Sequence, residues 1–251
     1  MLMSGHSKWS KVKHQKEATD ATRGKIFTKL ANAIIVAVRE GGGNADPASN
    51  FRLRLAVEKA RAFNMPKEKI ERAIERACGA NAEDAMEQVV YEAFAPGGIG
   101  LIIEAVTNNK QRTVSEVKNI LERGGGALAA IGAVSHLFKH MGLLTIEKKG
   151  KSFDEIFEIA IDAGATDIEE IDNEMVDVYT ESTDLHKVKE KIEKQGIVIS
   201  DFGQCFRPTV TVPVNEQSKA ESVLRLISAL EEIEDVHKVY ANFDIPEKYL
   251  N

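Results

Sequence analysis

The chain has 251 residues, of which 43% are hydrophobic, and a net charge of −6. This length predicts one large domain or two to three small ones, and the longest apolar stretch, residues 26–38, falls short of the ~20 residues that span a membrane. Cys78 and Cys205 lie far apart without the spacing of metal ligands, so neither a disulfide framework nor a zinc site is indicated. We expect a cytoplasmic protein that needs no cofactor.

The N-terminal segment, residues 5–30, is strongly basic. It contains seven Lys and Arg, two His and the only Trp, against two acids. Residues 4–17 have no apolar stripe, so we expect a mobile arm or a loosely docked strand. Its cations alternate with Ser, Gly, His and Trp9, which suits phosphate contacts together with stacking on a base or packing on the neighbouring helices.

Three helices are predicted next. Apolar residues recur at helical spacing from Ala18 to Glu40 and stop at glycines 41–43. A second helix is expected to be capped by Asp46, to start at Pro47 and to run to Phe63; its candidate buried residues are Phe51, Leu55 and Val57. Pro66 opens a third helix that ends at Gly79, with an apolar stripe of Ile70, Ala73, Ile74 and Ala77.

Beyond Gly79, strand patterns alternate with helix patterns. Residues 98–107 predict a strand, 113–126 a helix and 128–138 an irregular return. Residues 142–206 then follow the order β-α-β-β-α-β, which is the ferredoxin-like signature. A final β-α-β series, residues 209–243, is able to pair with the first series and to enclose the second as an insertion.

These elements predict an α+β fold with an N-terminal three-helix domain and two ferredoxin-like α+β domains. The helical domain covers residues 1–79. The middle domain is discontinuous and covers residues 80–134 and 208–251, and the inserted acidic domain covers residues 135–207.

Charge divides the chain in the same way. Residues 1–79 carry 16 Lys and Arg and 8 acids, which leaves 33 − 16 = 17 cations and 39 − 8 = 31 acids for residues 80–251. The head therefore has a charge of +8 and the body one of −14. Residues 153–184 contain twelve acids and no Lys or Arg. Nucleic acid attracts such a head and repels such a body, although the acidic face is also a candidate surface for binding proteins.

No constellation typical of an enzyme is present. His6, His14 and Asp20 are not spaced to share a helix face, and His136 and His140 are at i, i+4 without a third ligand or the glutamate of an HExxH motif. The sequence "PGGIG" at residues 96–100 matches no phosphate-binding motif and is better explained as a turn before a strand. We expect neither catalysis nor a metal site.

Several long blocks of sequence resemble one family. "GHSKW", "KHQKEATDATRGKIFTKL", "NFRLRLAVEKARAFNMPKEKIERAI" and "APGGIGLIIEAVTNNKQRT" resemble the motifs of the YebC/PmpR family, although "AFAPGG" at residues 93–98 departs from the expected aromatic and Gly before Pro. The resemblance implies a helical domain, two α+β domains with the middle one discontinuous, and a non-enzymatic role in gene expression. That role is usually DNA-binding transcriptional regulation; other members resemble ribosome-bound translation factors that relieve stalling at proline runs.

The expected partner is therefore a nucleic acid, DNA or rRNA, and not a membrane. The acidic domains are expected to face the ribosome or other proteins. The predicted nucleic-acid-binding residues are Lys8, Trp9, Lys11, Lys13, His14, Lys16, Arg23, Lys25, Lys29, Arg52 and Arg54.

Overall fold

The computed structural model describes residues 20–79, 86–246 and 249. The arm expected over residues 4–17 lies outside the described residues. Within the described ranges the helices and strands are, in chain order, α1 (Asp20–Glu40), α2 (Phe51–Ala62), α3 (Lys67–Gly79), β1 (Glu87–Ala95), β2 (Ile99–Thr107), α4 (Lys110–Arg123), β3 (Ala127–Leu128), β4 (Phe138–Glu147), α5 (Phe153–Ala163), β5 (Asp167–Glu170), β6 (Met175–Glu181), α6 (Leu185–Lys194), β7 (Val198–Pro208), β8 (Val212–Pro213), α7 (Gln217–Glu231), β9 (Val236–Ala241) and β10 (Phe243–Asp244).

Helices α1, α2 and α3 pack around one apolar cluster. Its fully buried members include Ile34, Val38, Leu53 and Ala60, which recur at helical spacing on α1 and α2. Ile74 and Ala77 of the predicted α3 stripe pack against this cluster and are only partly buried. The basic head therefore has a hydrophobic core of its own.

The predicted start of α2 is wrong. The helix begins at Phe51, and Asn50 is its N-cap, because the Asn50 side chain accepts a hydrogen bond from the Leu53 N–H at 3.1 Å. Asp46 stabilises the preceding loop instead, accepting from the Ala48 N–H at 3.0 Å and from the Ser49 hydroxyl at 2.8 Å. Phe51 is also not buried, since 42% of it is exposed.

The first sheet joins strands from distant parts of the sequence. Its order is β3-β1-β2-β9 and all its pairs are antiparallel. The β1–β2 turn contains Gly97 and Gly98 with φ of 86° and 76°, a conformation typical of tight hairpins. This confirms the turn predicted at residues 96–100 and places the hairpin strands at the centre of the sheet. Core side chains of α4 and α7 pack against the sheet.

The second sheet is built from a continuous segment, residues 138–208. Its strand order is β5-β6-β4-β7, again antiparallel, which is the ferredoxin-like arrangement of the β-α-β-β-α-β unit. Ile156 of α5 and Val188 of α6 are buried in a core with Leu144 and Ile146 of β4.

The two sheets meet through a third apolar cluster. Ile102 and Tyr240 of the first sheet pack with Met141, Tyr179 and Cys205 of the second. A helical N-terminal region followed by two four-stranded antiparallel sheets, with β8 and β10 as a separate parallel pair, confirms the predicted α+β class. The residue limits of the three predicted domains stay a prediction.

Candidate nucleic-acid interface

Five of the predicted binding residues lie in the part of the chain that the structure describes. These are Arg23, Lys25 and Lys29 on α1, and Arg52 and Arg54 on α2. The remaining six, Lys8, Trp9, Lys11, Lys13, His14 and Lys16, lie outside the described residues.

Two cations of α1 contact the end of α7. The Lys25 ammonium forms an ion pair with the Glu232 carboxylate, and the Lys29 ammonium donates to the carbonyl oxygen of Glu231 at 2.9 Å. Cations near a helix C-terminus also interact favourably with its dipole. Lys29 is half-buried, whereas Arg23 and Lys25 are exposed. Lys25 and Lys29 therefore attach the helical head to the first sheet.

Arg52 and Arg54, the two predicted binding residues of α2, have different surroundings. Arg52 forms an exposed ion pair with Glu40 at the end of α1. Arg54 donates from Nε to the Pro47 carbonyl and from its terminal nitrogen to the Ala48 carbonyl, each at 3.0 Å. Arg54 thus fixes the loop between α1 and α2, which is a structural role that the sequence analysis did not foresee.

A basic row on α3 was missed. Lys69, Arg72 and Arg76 are exposed and recur at spacings of three and four, so they share one face of the helix. Within residues 20–79 and 86–246, neither Arg72 nor Arg76 has a carboxylate within ion-pair distance, and Lys69 lies over the Phe27 ring at 5.0 Å. The spacing was visible in the sequence "KIERAIER", but a charged helix face is usually only solvated surface.

Acids run beside this basic row. Glu68, Glu71 and Glu75 are exposed on the adjacent face of α3, and Glu71 pairs with Lys67 at 3.3 Å. A phosphate backbone that lies along the α3 row is therefore attracted on one side and repelled on the other.

Charged side chains also lie where α2 meets the second sheet and where the two sheets meet. The Lys59 ammonium lies 2.9 Å from the Asp201 carboxylate, and the Tyr240 hydroxyl donates to Glu104 at 3.0 Å. Burial raises the pKa of Asp177 to about 6 although the Thr145 hydroxyl donates to it. At Asp201 burial acts in the same sense, but Lys59 and Lys238 lower the pKa overall. The Lys59–Asp201 pair joins the head to the second sheet.

His136 and His140 do not form a site. His136 lies in a 3-10 turn and His140 in β4, so they do not share a helix face as their spacing had suggested. His6 and His14 lie outside the described residues, as does the side chain of Asp20. Among the residues that the structure describes, no group of three or more His, Cys, Asp or Glu could hold a metal ion.

Neither cysteine is bonded to a partner sulfur. Cys78 is exposed and Cys205 is buried. Burial raises the pKa of the Cys205 thiol to about 12, so this group is neutral and a poor nucleophile. No helix within the described ranges is long and apolar enough to cross a membrane.

Family comparisons cover nearly the whole chain. A family model described as the TACO1/YebC protein N-terminal domain matches residues 7–80, and one described as the TACO1/YebC second and third domain matches residues 86–243.

Individual relatives extend the match. A "probable transcriptional regulatory protein" from Aquifex aeolicus (strain VF5) is 44% identical over 248 residues, which is 99% of this chain and 98% of the relative. One from Fervidobacterium nodosum is 48% identical, with 99% and 96% covered. The crystal structure of the conserved hypothetical protein Aq1575 from Aquifex aeolicus superposes with a TM-score of 0.86 at 43% identity, covering 92% of this chain and 95% of that one.

Proposed function

This chain belongs to the TACO1/YebC family, and from that premise we propose that it is a non-enzymatic, nucleic-acid-binding regulator of gene expression that acts in the cytoplasm. The first form of the proposal is a DNA-binding transcriptional regulator, which is what the names of its relatives suggest. The basic head binds the nucleic acid, and the acidic body is held away from it.

The separation of charge is the observation that carries this proposal. The head has a charge of +8 and the body one of −14, so only the head gains from releasing the counterions of a phosphate backbone. Lys25, Lys29, Arg52 and Arg54 already have partners within the chain. We therefore assign the phosphate contacts to the N-terminal lysines and the α3 row.

A second form of the proposal is a translation factor that binds rRNA and relieves stalling at proline runs. The acidic row beside Arg72 and Arg76 favours it, because a helix placed in the major groove of DNA brings both of its flanks near phosphates. A folded RNA that touches only the basic row avoids Glu68, Glu71 and Glu75. In this form the acidic sheets face proteins of the ribosome.

Crosslinking in living cells distinguishes the two forms. The nucleic acid attached to the wild-type protein is sequenced as DNA and as RNA, beside a matched sample from a variant with Lys11, Lys13 and Lys16 changed to Ala. Enrichment of promoter DNA that the variant loses supports transcriptional regulation, and enrichment of rRNA supports the translation factor. If neither is enriched over the variant, these three lysines do not bind nucleic acid.

The absence of catalysis is tested separately. Purified protein, with and without added divalent metal ions, is expected to show no nuclease, phosphatase or nucleoside triphosphatase turnover. Turnover that is lost on changing His6, His14 or Asp20 would contradict the proposal.

A further inference from the structure

Helix α5 carries apolar side chains on two faces. Its inner face buries Ile156, Ala160 and Ala163 under the second sheet, as an amphipathic helix does. Phe157 and Ile161 lie on another face, where 43% and 44% of each residue is exposed. Together with the half-buried Phe153, whose ring centroid is 6.0 Å from that of Phe157, they form a row at i, i+4 and i+8 that we call the α5 apolar row.

An acidic row runs parallel to the apolar one. Asp154, Glu158 and Asp162 each follow a member of the apolar row by one residue, and all three are exposed. Both rows extend over about 12 Å of the helix. The two rows together form a narrow apolar ridge with negative charge along one side.

Many acids near this row are paired or capped, but its own acids have no cationic partner among the residues that the structure describes. Arg207 pairs with Asp167 and Glu169, and Lys148 pairs with Glu170. Glu155 belongs to the capping box of α5 with Ser152. In the described part of the chain, by contrast, no Lys, Arg or His lies within ion-pair distance of Asp154, Glu158 or Asp162.

We propose that the α5 apolar row and its acidic row are the docking surface for a basic, amphipathic segment of a partner protein. Phe157 and Ile161 would pack against aliphatic or aromatic side chains of the partner, and the three acids would pair with Lys or Arg beside them. Exposed apolar side chains on one ridge are typical of interaction sites, and the one-sided charge selects a cationic partner. Nucleic acid is disfavoured here, because the acids repel phosphates.

This surface goes beyond the DNA-binding form of the proposed function, and it adds a defined site on the second sheet to the rRNA-binding form, in which the acidic sheets face proteins. It leaves the basic head available, so that the protein could hold a nucleic acid at one end and a basic protein at the other. It does not depend on whether that nucleic acid is DNA or RNA.

The test uses the full chain and a fluorescent synthetic peptide of Leu and Lys whose leucines share one helix face. Changing Phe157 and Ile161 together to Gln is expected to weaken peptide binding by about tenfold or more. The variant Asp154→Asn, Glu158→Gln, Asp162→Asn leaves the apolar row intact, and it is expected to weaken binding and to flatten its dependence on salt. Circular dichroism confirms that each variant is folded.

Two matched controls make the result specific. Changing Glu68, Glu71 and Glu75 to Gln removes an acidic row of the same size without an apolar row, and Ile131→Gln removes a side chain that is 98% exposed elsewhere. Both are expected to bind the peptide within about twofold of wild type. A peptide with the same composition but scattered leucines is expected to bind more weakly than the amphipathic one.

Four outcomes would overturn the proposal. The first is unchanged peptide binding in both α5 variants, and the second is an equal loss of binding in the two controls. The third is a wild-type dimer in sedimentation equilibrium that the Phe157→Gln, Ile161→Gln variant dissociates. The fourth is stronger peptide binding after Lys11, Lys13 and Lys16 are changed to Ala. The third would identify a second copy of the chain as the occupant of the row, and the fourth its own N-terminal segment.

Discussion

A single buried carboxylate, that of Glu92, fixes a loop that lies far from the candidate interface. Glu92 of β1 accepts hydrogen bonds from the N–H groups of Gly132 at 2.7 Å, Val134 at 2.5 Å and Ser135 at 2.9 Å. Burial acts to raise the pKa of Glu92, but these N–H groups lower it overall. One side chain therefore fixes a loop that contains no charged residue of its own.

Replacing Glu92 by Ala is expected to reduce the free energy of unfolding by about 2–3 kcal/mol, because three N–H groups lose a charged acceptor. Urea unfolding measures the loss, and hydrogen exchange at Gly132 and Val134 locates it. Since the pKa of Glu92 is lowered in the folded state, its contribution is present above the ordinary value of 4.5 and disappears as the pH falls through the folded value. Glu87→Ala on the same strand, which breaks only an exposed pair with Lys110, is the control and is expected to cost less than about 1 kcal/mol.

Asp177 has the opposite effect on stability. Its pKa is about 6 in the folded protein against 3.8 ordinarily, chiefly because of burial, with Glu169 and Asp201 adding to the rise and Thr145 and Lys238 opposing it. The folded state keeps this proton to a higher pH than the unfolded state, so the free energy of unfolding falls as the pH rises from about 4 to 6.

Asp177→Asn is expected to remove that pH dependence and to stabilise the protein at pH 7 by about 1–3 kcal/mol. Urea unfolding across this pH range measures both effects, with the exposed Asp154→Asn as the control. A variant that keeps the wild-type pH dependence would show that Asp177 ionises freely in the fold.

The arginines of helices α2 and α3 differ in their contacts. Arg54 donates to two loop carbonyls, whereas Arg72 and Arg76 are exposed and have no carboxylate partner within the described residues. The same change of residue type should therefore affect stability on one helix and binding on the other.

Changing Arg72 and Arg76 to Ala is expected to flatten the dependence of log affinity on log salt by about 1.4–1.8 units, at roughly 0.7–0.9 for each phosphate contact. Stability is expected to change by less than about 0.5 kcal/mol for each exposed site. Arg54→Ala is expected to lower stability by about 1–2 kcal/mol and to leave the salt slope unchanged. If Arg54→Ala flattens the salt slope in binding titrations, and the α3 variant instead lowers stability in urea unfolding, the interface lies at the start of α2 and not on α3.

At the scale of the whole molecule, the proposed function depends on keeping positive charge at one end. Four of the 16 Lys and Arg of the head, namely Lys8, Lys11, Lys13 and Lys16, lie in residues 4–17 of its N-terminal segment. Changing Lys11, Lys13 and Lys16 to Ala is expected to flatten the salt slope by about two to three units, with stability within about 1 kcal/mol of wild type. Binding to duplex DNA and to structured rRNA fragments at several salt concentrations measures the slope, and an unchanged slope would mean that these lysines are ordinary solvated surface.

Trp9→Ala provides a matched test of stacking. If Trp9 stacks on a base, its loss should weaken binding by roughly 1–3 kcal/mol with little change in the salt slope. A change in the salt slope, with no loss of affinity at low salt, would instead mean that Trp9 affects how the neighbouring lysines contact phosphates and does not stack on a base.

Local sequence patterns predicted the helices and strands, but contacts between residues distant in the sequence determine which residue caps α2 and how far Phe51 is buried. Helical spacing up to Glu40, the stop at Gly79 and the β-α-β-β-α-β order of the second sheet were all visible in the sequence. The N-cap residue of α2 was not visible in the sequence. Asn50 takes that position because its side-chain amide also donates to the carbonyls of Ala37 and Asn44, each at 2.9 Å. Phe51 was predicted to be buried, but it packs edge-on against His186 of α6 at 5.0 Å and stays partly exposed.

The same limit applies to the candidate site. Lys25 and Lys29 were assigned to nucleic acid from local charge alone, yet their partners Glu232 and Glu231 lie about two hundred residues away in the sequence. The basic row of α3 could have been found from the spacing of Lys69, Arg72 and Arg76. The binding roles of the N-terminal residues stay a prediction.

The strand order of the first sheet has a consequence for how the chain is made. β2, which is almost wholly buried, must wait for β9 until residues 108–235 have been synthesised, a delay on the order of ten seconds at about 5–20 residues per second. The second sheet, whose strands are continuous in the sequence, is complete before then. A nascent chain that stops between residues 208 and 236 therefore carries a finished second sheet beside an unpaired apolar strand edge, which is a substrate for chaperones and a template for aggregation.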